Sequence, residues 1–400
     1  MTNARPSTTR AARVGSRARN GRARARAWEA DTSIAPRLLA WFDVHGRHDL
    51  PWQRERSPYT VWVSEVMLQQ TQVTTVVPFY LRFVERFPIV ASLAAASLDD
   101  VLRLWSGLGY YARGRNLWKA ARAVVERHGG RVPDAFDELL ALPGIGRSTA
   151  GAILAQARGL RFPILDGNAK RVLARYHAVE GWPGDRAVSD ELWALAERHT
   201  PPERVADYTQ AIMDLGATLC TRARPACTVC PLVADCAACR AGAQSAYPAP
   251  RPRRGRPRRS VTVLVVEDPD GCVLLERRPA RGIWGGLYSF PELAAGDTAE
   301  QWCARKLGAA VSDERELATI EHGFTHFDLD LAPRWLRLAA APRVVQDGGD
   351  FVWQRPSAEP PVGIPAPVAA LFGSLARGVS DSSSEITASA ALGGKELSDG

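Results

Sequence analysis

Cys220, Cys227, Cys230 and Cys236 stand in the spacing C-x6-C-x2-C-x5-C, too compact and too ordered a run to be accidental. It commits this stretch of chain to a loop built around a metal centre. Four thiolates make either a closed tetrahedral zinc site or an iron–sulfur centre. Zinc ribbons usually pair two C-x2-C knuckles, whereas these four cysteines hold one knuckle, Cys227–Cys230, between single cysteines, a spacing that points to a cluster. Cys239 makes a second knuckle with Cys236 and is a competing candidate ligand, while Cys272 and Cys303 stand alone and read as buried apolar residues. A thiolate-held cluster needs a reducing compartment, so the cytoplasm is the expected location.

Length and apolar content, 400 residues and 46%, allow two domains with real cores plus tails. No apolar run is long enough to span a membrane, and no secretory signal opens the chain, so no membrane association is expected. The net charge of +8 resembles a simple nucleic-acid signature until it is located. Residues 1–30 carry eight Arg against one Glu and residues 251–259 carry six Arg, so the rest of the chain is acidic on balance. Those segments read as solvated tails or as arms that touch phosphate, and the Arg-rich start also fits a transit peptide or a misplaced start codon.

The organisation follows from pattern. Residues 1–32 read as a disordered Arg-rich tail and 33–219 as short amphipathic helices with terse connections, an all-α domain closed by the cysteine loop at 220–245. A Pro/Arg-rich linker occupies 246–260. Beyond it, Val261–Glu267 and Val273–Glu276 are strand-like around the turn Asp268-Pro-Asp-Gly271, a helix is expected near Glu300–Leu307, and further strands run to Leu338. That makes an α+β domain over 261–375, followed by a disordered tail over 376–400.

Three segments of the first domain carry chemistry. Leu142-Pro-Gly-Ile-Gly-Arg-Ser148 follows the helical Phe136–Ala141 and opens another helix, with Gly144 and Gly146 free to turn sharply beside a phosphate. The second helix would aim free N–H groups and its positive dipole end at that anion. Twenty residues past Gly146 lies Asp166, in Phe162-Pro-Ile-Leu-Asp-Gly-Asn168. Val61–Val73 reads as one helix on which Glu65, Gln69 and Gln72 share a face. Flanked by Trp62, Val66 and Met67, Glu65 is poorly hydrated, which raises its pKa and keeps it protonated for acid work.

The glycine turn resembles a helix-hairpin-helix DNA anchor, and Asp166 stands where that glycosylase superfamily carries its catalytic Asp. Ser64-Glu65-Val-Met-Leu-Gln-Gln-Thr71 closely resembles the S-E-x-M-L-Q-Q-T segment of MutY-type adenine DNA glycosylases. Leu50-Pro-Trp52, Gly107-Leu-Gly-Tyr-Tyr-Ala-Arg113 with Asn116, and the cysteine loop follow in family order, so the resemblance covers about residues 33–372. It implies a monomeric DNA N-glycosylase with a [4Fe-4S] cluster on Cys220, Cys227, Cys230 and Cys236, acting on double-stranded DNA at adenine opposite 8-oxoguanine or guanine in base excision repair. Glu65 would protonate adenine N7, and Asp166 would stabilise the oxocarbenium-like sugar. Asn168 and Tyr110 would surround the sugar and the estranged base, Gln70 and Tyr110 would fill the gap in the duplex, Gln210 would meet the adenine edge, and Gln69 would be a further substrate or DNA contact.

Ser148 stands where bifunctional relatives carry a Lys that attacks the sugar, so a monofunctional enzyme is expected. An endonuclease III-type glycosylase-lyase acting on oxidised pyrimidines is the alternative. Gly282–Glu292 resembles the early part of a Nudix-type domain, but Glu300–Gly308 holds one acid where a hydrolase of that fold needs several for its cation. The resemblance therefore implies a domain kept for recognising oxidised guanine. Phe324-Thr325-His326 lies where the family carries an F-S-H loop, with Thr in place of Ser.

Overall fold

The computed structural model describes residues 33–252, 255–324, 326–342 and 350–377. The tail expected over 1–32 lies outside the described residues, as do residues 378–400 of the tail expected over 376–400, whose first residue, Ala376, ends the helix Ala366–Ala376.

Helices from Ala35–His45 to Val205–Thr218 form two lobes, each with its own core. Trp62, Phe83, Phe87 and Trp105 centre the first, and Leu38, Phe42, Leu173 and Leu215 the second. The helix Arg147–Arg158 belongs to both, giving Ala150, Ile153 and Leu154 to one core and Ala152 to the other. Its small residues allow packing on two sides. A Cβ on Gly151 would meet the Pro163 carbonyl oxygen at 2.5 Å, so the strand-like approach to Asp166 lies directly against this helix.

The expected single helix Val61–Val73 is two. Pro58–Leu68 ends at Leu68, Gln69 caps it, Gln70 takes a left-handed φ of 57°, and Val73–Arg86 begins after Gln72. Glu65, Gln69 and Gln72 therefore do not share one helical face. The Arg113 guanidinium ends the first helix by donating to the carbonyl oxygens of Val66 and Met67, at 3.1 and 2.8 Å, and of Gln69, acceptors that a further turn of helix would otherwise have used.

His177 and His199 form a pair in the second lobe, Nε2 to Nε2 at 2.8 Å. His199 Nδ1 accepts from the Ile34 backbone N–H at 3.4 Å, so His199 Nε2 carries the proton and donates it to His177. Burial, aided by Arg198 and for His199 by its partner, pushes both rings down to about 4 from an ordinary 6.5. A histidine depressed in the folded state contributes stability that is complete above the unfolded pKa and is lost as pH falls toward the folded one. Thermal stability should accordingly hold above pH 6.5 and fall between 6.5 and 4, each ring contributing up to roughly 3 kcal/mol. Melting curves across that range test this. An equal drop in His177→Gln would sink the assignment.

Among the described residues the second domain is a seven-stranded mixed sheet between two helices. Strands β1 (Arg258–Glu267), β2 (Val273–Arg277), β3 (Tyr288–Ser289), β4 (Val311–Glu316), β5 (Ile320–Gly323), β6 (Asp328–Leu338) and β7 (Phe351–Gln354) give the order β3-β2-β1-β6-β4, with β7 on β2 and β5 on β6. Only β1 and β6 among these pairs run parallel. Period-2 alternation sends Val263 and Val265 to the face covered by the helix Ala366–Ala376, and Leu264 and Val266 to the face covered by Ala299–Leu307. β1 begins at Arg258, so the strand takes in Arg258 and Arg259 from the stretch read as linker. In the β1–β2 turn Asp268 Oδ1 accepts from Asp270 and Cys272 N–H groups at 2.9 and 2.8 Å. Cys303 is buried as expected, while Cys272, in that turn, is only partly so.

Candidate active site

The two lobes bring one carboxyl each to their junction. Glu65 comes from the helix Pro58–Leu68 of the first lobe, and Asp166 is the N-cap of Gly167–His177 in the second. Both keep partial solvent access, yet protein crowds them enough that burial is the largest cause of their titration shifts. Glu65 is pushed up to about 7, by burial and then by the charge of Asp166, while a hydrogen bond from Gln156 at 2.9 Å works the other way. Asp166 is also pushed up by burial, but against firmer opposition. The Ala169 N–H donates to Oδ1 at 2.8 Å, the Asn168 amide donates to Oδ2 at 3.2 Å, and the Arg171 charge favours ionisation. In such an arrangement the Asp166 charge favours the protonated form of Glu65, while hydrogen bonds and the Arg171 charge oppose protonation of Asp166, the direction of bias that paired carboxylates need for glycosidic cleavage.

Asn168 is itself fixed. Its Oδ1 accepts from Arg171 at 2.8 Å, and a Cβ on Gly216 would meet the Asn168 Cβ at 2.6 Å, so the helix Val205–Thr218 closes on it from behind. Arg171 also donates to the Cys220 and Gly216 carbonyl oxygens, both at 2.7 Å, and Arg175 to the Thr221 carbonyl at 2.7 Å. The helix capped by Asp166 is thereby tied to the cysteine loop. Ser148 Oγ accepts from the Leu165 N–H at 3.0 Å, one residue before Asp166. At the hairpin, Leu142 and Ile145 are buried while Gly144 and Gly146 are exposed, Gly144 with a left-handed φ of 80°. Gly146 is the N-cap of the helix Arg147–Arg158 and brings no side chain to its first N–H groups, the geometry that receives an anion.

Gln69 donates to Thr149 Oγ1 at 3.4 Å, and Gln70 is exposed. Tyr110, at φ 48°, shares with Gln70 a left-handed backbone that neither residue type favours. Gln210 is buried in the helix Val205–Thr218, and its amide donates to Asp214 at 2.7 Å, beside the ion pair of Asp214 with Arg47 at 2.6 Å. Phe324 stacks on Phe327 with centroids 4.6 Å apart, His326 is exposed, and Thr325 lies outside the described residues.

Two functional residues escaped the sequence reading. Gln156 left a signal, a lone amide at the end of the apolar Ile153-Leu-Ala155, buried where only a polar partner could justify it. Arg113 ends the Gly107–Arg113 motif, which assigns it no role. Its guanidinium also donates to Thr71 Oγ1 at 3.1 Å and to the Leu108 and Gly109 carbonyl oxygens at 3.2 and 3.1 Å, so it holds the Gln69–Thr71 and Gly107–Tyr110 turns together. Nothing in the sequence reports that juxtaposition, because it is made by packing across 44 residues of chain.

Residues 63–198 match the HhH-GPD superfamily of base excision DNA repair proteins, and residues 262–373 match the NUDIX domain. An adenine DNA glycosylase of Buchnera aphidicola subsp. Acyrthosiphon pisum is 36% identical over 331 residues, covering 83% of this chain and 94% of its own. The chain belongs to the adenine DNA glycosylase family. It is accordingly a DNA N-glycosylase, a helix-hairpin-helix domain followed by a Nudix-like α+β domain, as the motifs implied. The mouse adenine DNA glycosylase is 37% identical, over 78% of this chain and 72% of its own. A solved thermostable thymine-DNA glycosylase covers 52% of this chain and 95% of its own at 26% identity, with a TM-score of 0.46.

Proposed function

We propose that this adenine DNA glycosylase excises adenine opposite 8-oxoguanine, and opposite guanine, in double-stranded DNA, and that it is monofunctional. The observation that carries the reading is the carboxyl pair itself, Glu65 pushed up to about 7 by burial and by the charge of Asp166, beside an Asp166 whose burial is opposed by Ala169, Asn168 and Arg171. With adenine turned out of the stack, protonated Glu65 donates to N7 and makes the base a better leaving group. Asp166 stabilises the oxocarbenium-like sugar, electrostatically or through a transient bond, while Asn168 keeps its carboxylate oriented. The conjugate base of Glu65 then activates water at the sugar. Gln70 and Tyr110, on their exposed and partly exposed turns, fill the gap left in the duplex.

Cys220, Cys227, Cys230, Cys236 and Cys239 line one cavity, which Arg175 and Gln244 also line. Arg175 donates to Cys220 Sγ at 3.4 Å and Gln244 to Cys227 Sγ at 3.7 Å, donors suited to thiolate charge. Among the described residues no group of three His, Cys, Asp or Glu is placed to hold a single metal ion. The first four of the cavity's cysteines are our proposed ligands of a [4Fe-4S] cluster. Glycosidic hydrolysis moves no electrons, and the cluster would shape the loop that presents Arg222 and Arg224 to phosphate. In the second domain Phe324, Thr325 and His326 are the proposed lesion contacts.

Single-turnover assays on duplexes with adenine opposite 8-oxoguanine, with and without alkali, beside a thymine-glycol duplex, test the reading. Scission of the adenine strand only after alkali is expected. Ser148 has no amine to form a Schiff base with the sugar, so borohydride should trap no covalent complex. Alkali-independent scission of the thymine-glycol strand would place the enzyme with the lyases.

A further inference from the structure

The two domains meet at the turn that presents Tyr110. Ser106 Oγ and Tyr111 OH both donate to the Ile364 carbonyl oxygen of the second domain, at 2.9 and 3.1 Å, and the Tyr111 hydroxyl accepts from the Gly107 N–H at 3.4 Å. These two hydroxyls bracket Gly107–Tyr110. The seam around them is tight. A Cβ on Gly363 would meet the backbone of Leu102 at 2.9 Å, and Leu287 is buried within the core of the first lobe. Arg115 donates to the Gly285 carbonyl at 2.6 Å, and Arg277 pairs with Asp99 at 2.6 Å.

The same seam reaches the Phe324 loop. Trp284, at a left-handed φ of 53°, packs against the cores of both domains. Its ring lies 5.8 Å from Phe324 and 5.9 Å from His322, centroid to centroid. A continuous set of packed groups therefore runs from Phe324 through Trp284 and the Gly285–Leu287 segment to the helices that flank the Gly107–Tyr110 turn.

We propose that the second domain positions the Tyr110 turn through the Ile364 carbonyl, with Tyr111 as the positioning residue, so that contact with the opposite base and intrusion into the duplex are coupled. This rests on the reading that the Phe324 loop meets the oxidised guanine. Tyr111 touches no reacting atom; it acts through the backbone of Gly107. A structural role alone would lower both rates together, whereas coupling lowers the preference for one opposite base.

The test compares single-turnover rate constants for adenine opposite 8-oxoguanine and opposite guanine in the full-length enzyme, Tyr111→Phe, Ser106→Ala, Phe324→Ala and the Tyr111→Phe/Phe324→Ala double variant. The phenyl ring keeps the packing and deletes only the hydroxyl. The ratio of the two rates should fall about tenfold in Tyr111→Phe, within the usual range of coupling between sites. In the Phe324→Ala background the same change should have no further effect on the ratio. Additive effects, or a wild-type ratio retained by Tyr111→Phe, would overturn the coupling and leave the functional reading standing. A wild-type ratio near one would overturn that reading and this inference with it. Should Tyr111→Phe melt early, Ser106→Ala carries the comparison through the second hydroxyl.

Discussion

Glu65→Gln and Asp166→Asn are each expected to slow single-turnover adenine excision by roughly 10²- to 10⁴-fold, with duplex affinity in a gel-shift assay changed far less. Both substitutions keep the size of the side chain; what they remove is a transferable proton in one case and, in the other, an anion together with one of the two acceptor oxygens that Ala169 and Asn168 use. The pH dependence separates the two roles. Burial favours the neutral form of Glu65 and the Asp166 charge adds to it, so the acid is loaded below about 7 and empties above it. The excision rate should therefore fall about tenfold per unit as pH rises beyond that value, and the falling limb should vanish in Glu65→Gln. A wild-type rate that stays flat from pH 6 to 9 would remove Glu65 from the role of acid. Replacing Gln156 by Leu gives a finer check, because its hydrogen bond favours the charged form of Glu65. Its loss should move the falling limb to higher pH.

What the sequence made legible was chemistry carried by local runs of residues. Glu65 among Trp62, Val66 and Met67 announces its own desolvation, and Asp166 before Gly167 and Asn168 sits where a helix can start, which is how it comes to be an N-cap. The strand-like runs Val261–Glu267 and Val273–Glu276 around the Asp268–Gly271 turn fall within β1 and β2. What stayed hidden depends on contacts across the fold. The helix through Glu65 stops at Leu68 with no Gly or Pro to stop it, because a guanidinium from a distant helix takes its last carbonyls. Gln210, expected at the adenine edge, also donates to Asp214, a contact with no signal in the sequence, since the burial of Asp214 demands donors from Arg47 and Gln210 together. Trp284 gave no hint that it would pack against two cores, since nothing local distinguishes a domain-bridging aromatic from a core one.

Arg113 is the residue for which that hidden layer has the largest expected consequence. It is 8% exposed, lies within hydrogen-bonding reach of five backbone carbonyls and one hydroxyl, and places its guanidinium 5.3 Å over the Tyr110 ring. Gln70 and Tyr110 both hold left-handed backbone at a cost of about 1–3 kcal/mol each, and such conformers persist only when their surroundings impose them. One planar, permanently charged fork can serve both turns at once, whereas an ammonium presents three donors from a single point. Arg113→Lys should therefore fold, with a lowered melting temperature, yet lose roughly 10²-fold in excision rate as the two turns relax from their bound geometry. Arg113→Ala should cost several kcal/mol, since buried carbonyls left without a donor are worth about 1–3 kcal/mol apiece. The distinguishing measurement is fluorescence of 2-aminopurine placed beside the mispair, which brightens when the stack is opened. In Arg113→Lys the brightening should be weak although the protein still binds the duplex. Full brightening together with a wild-type rate would show that the turns hold themselves, and that the guanidinium serves only to end a helix.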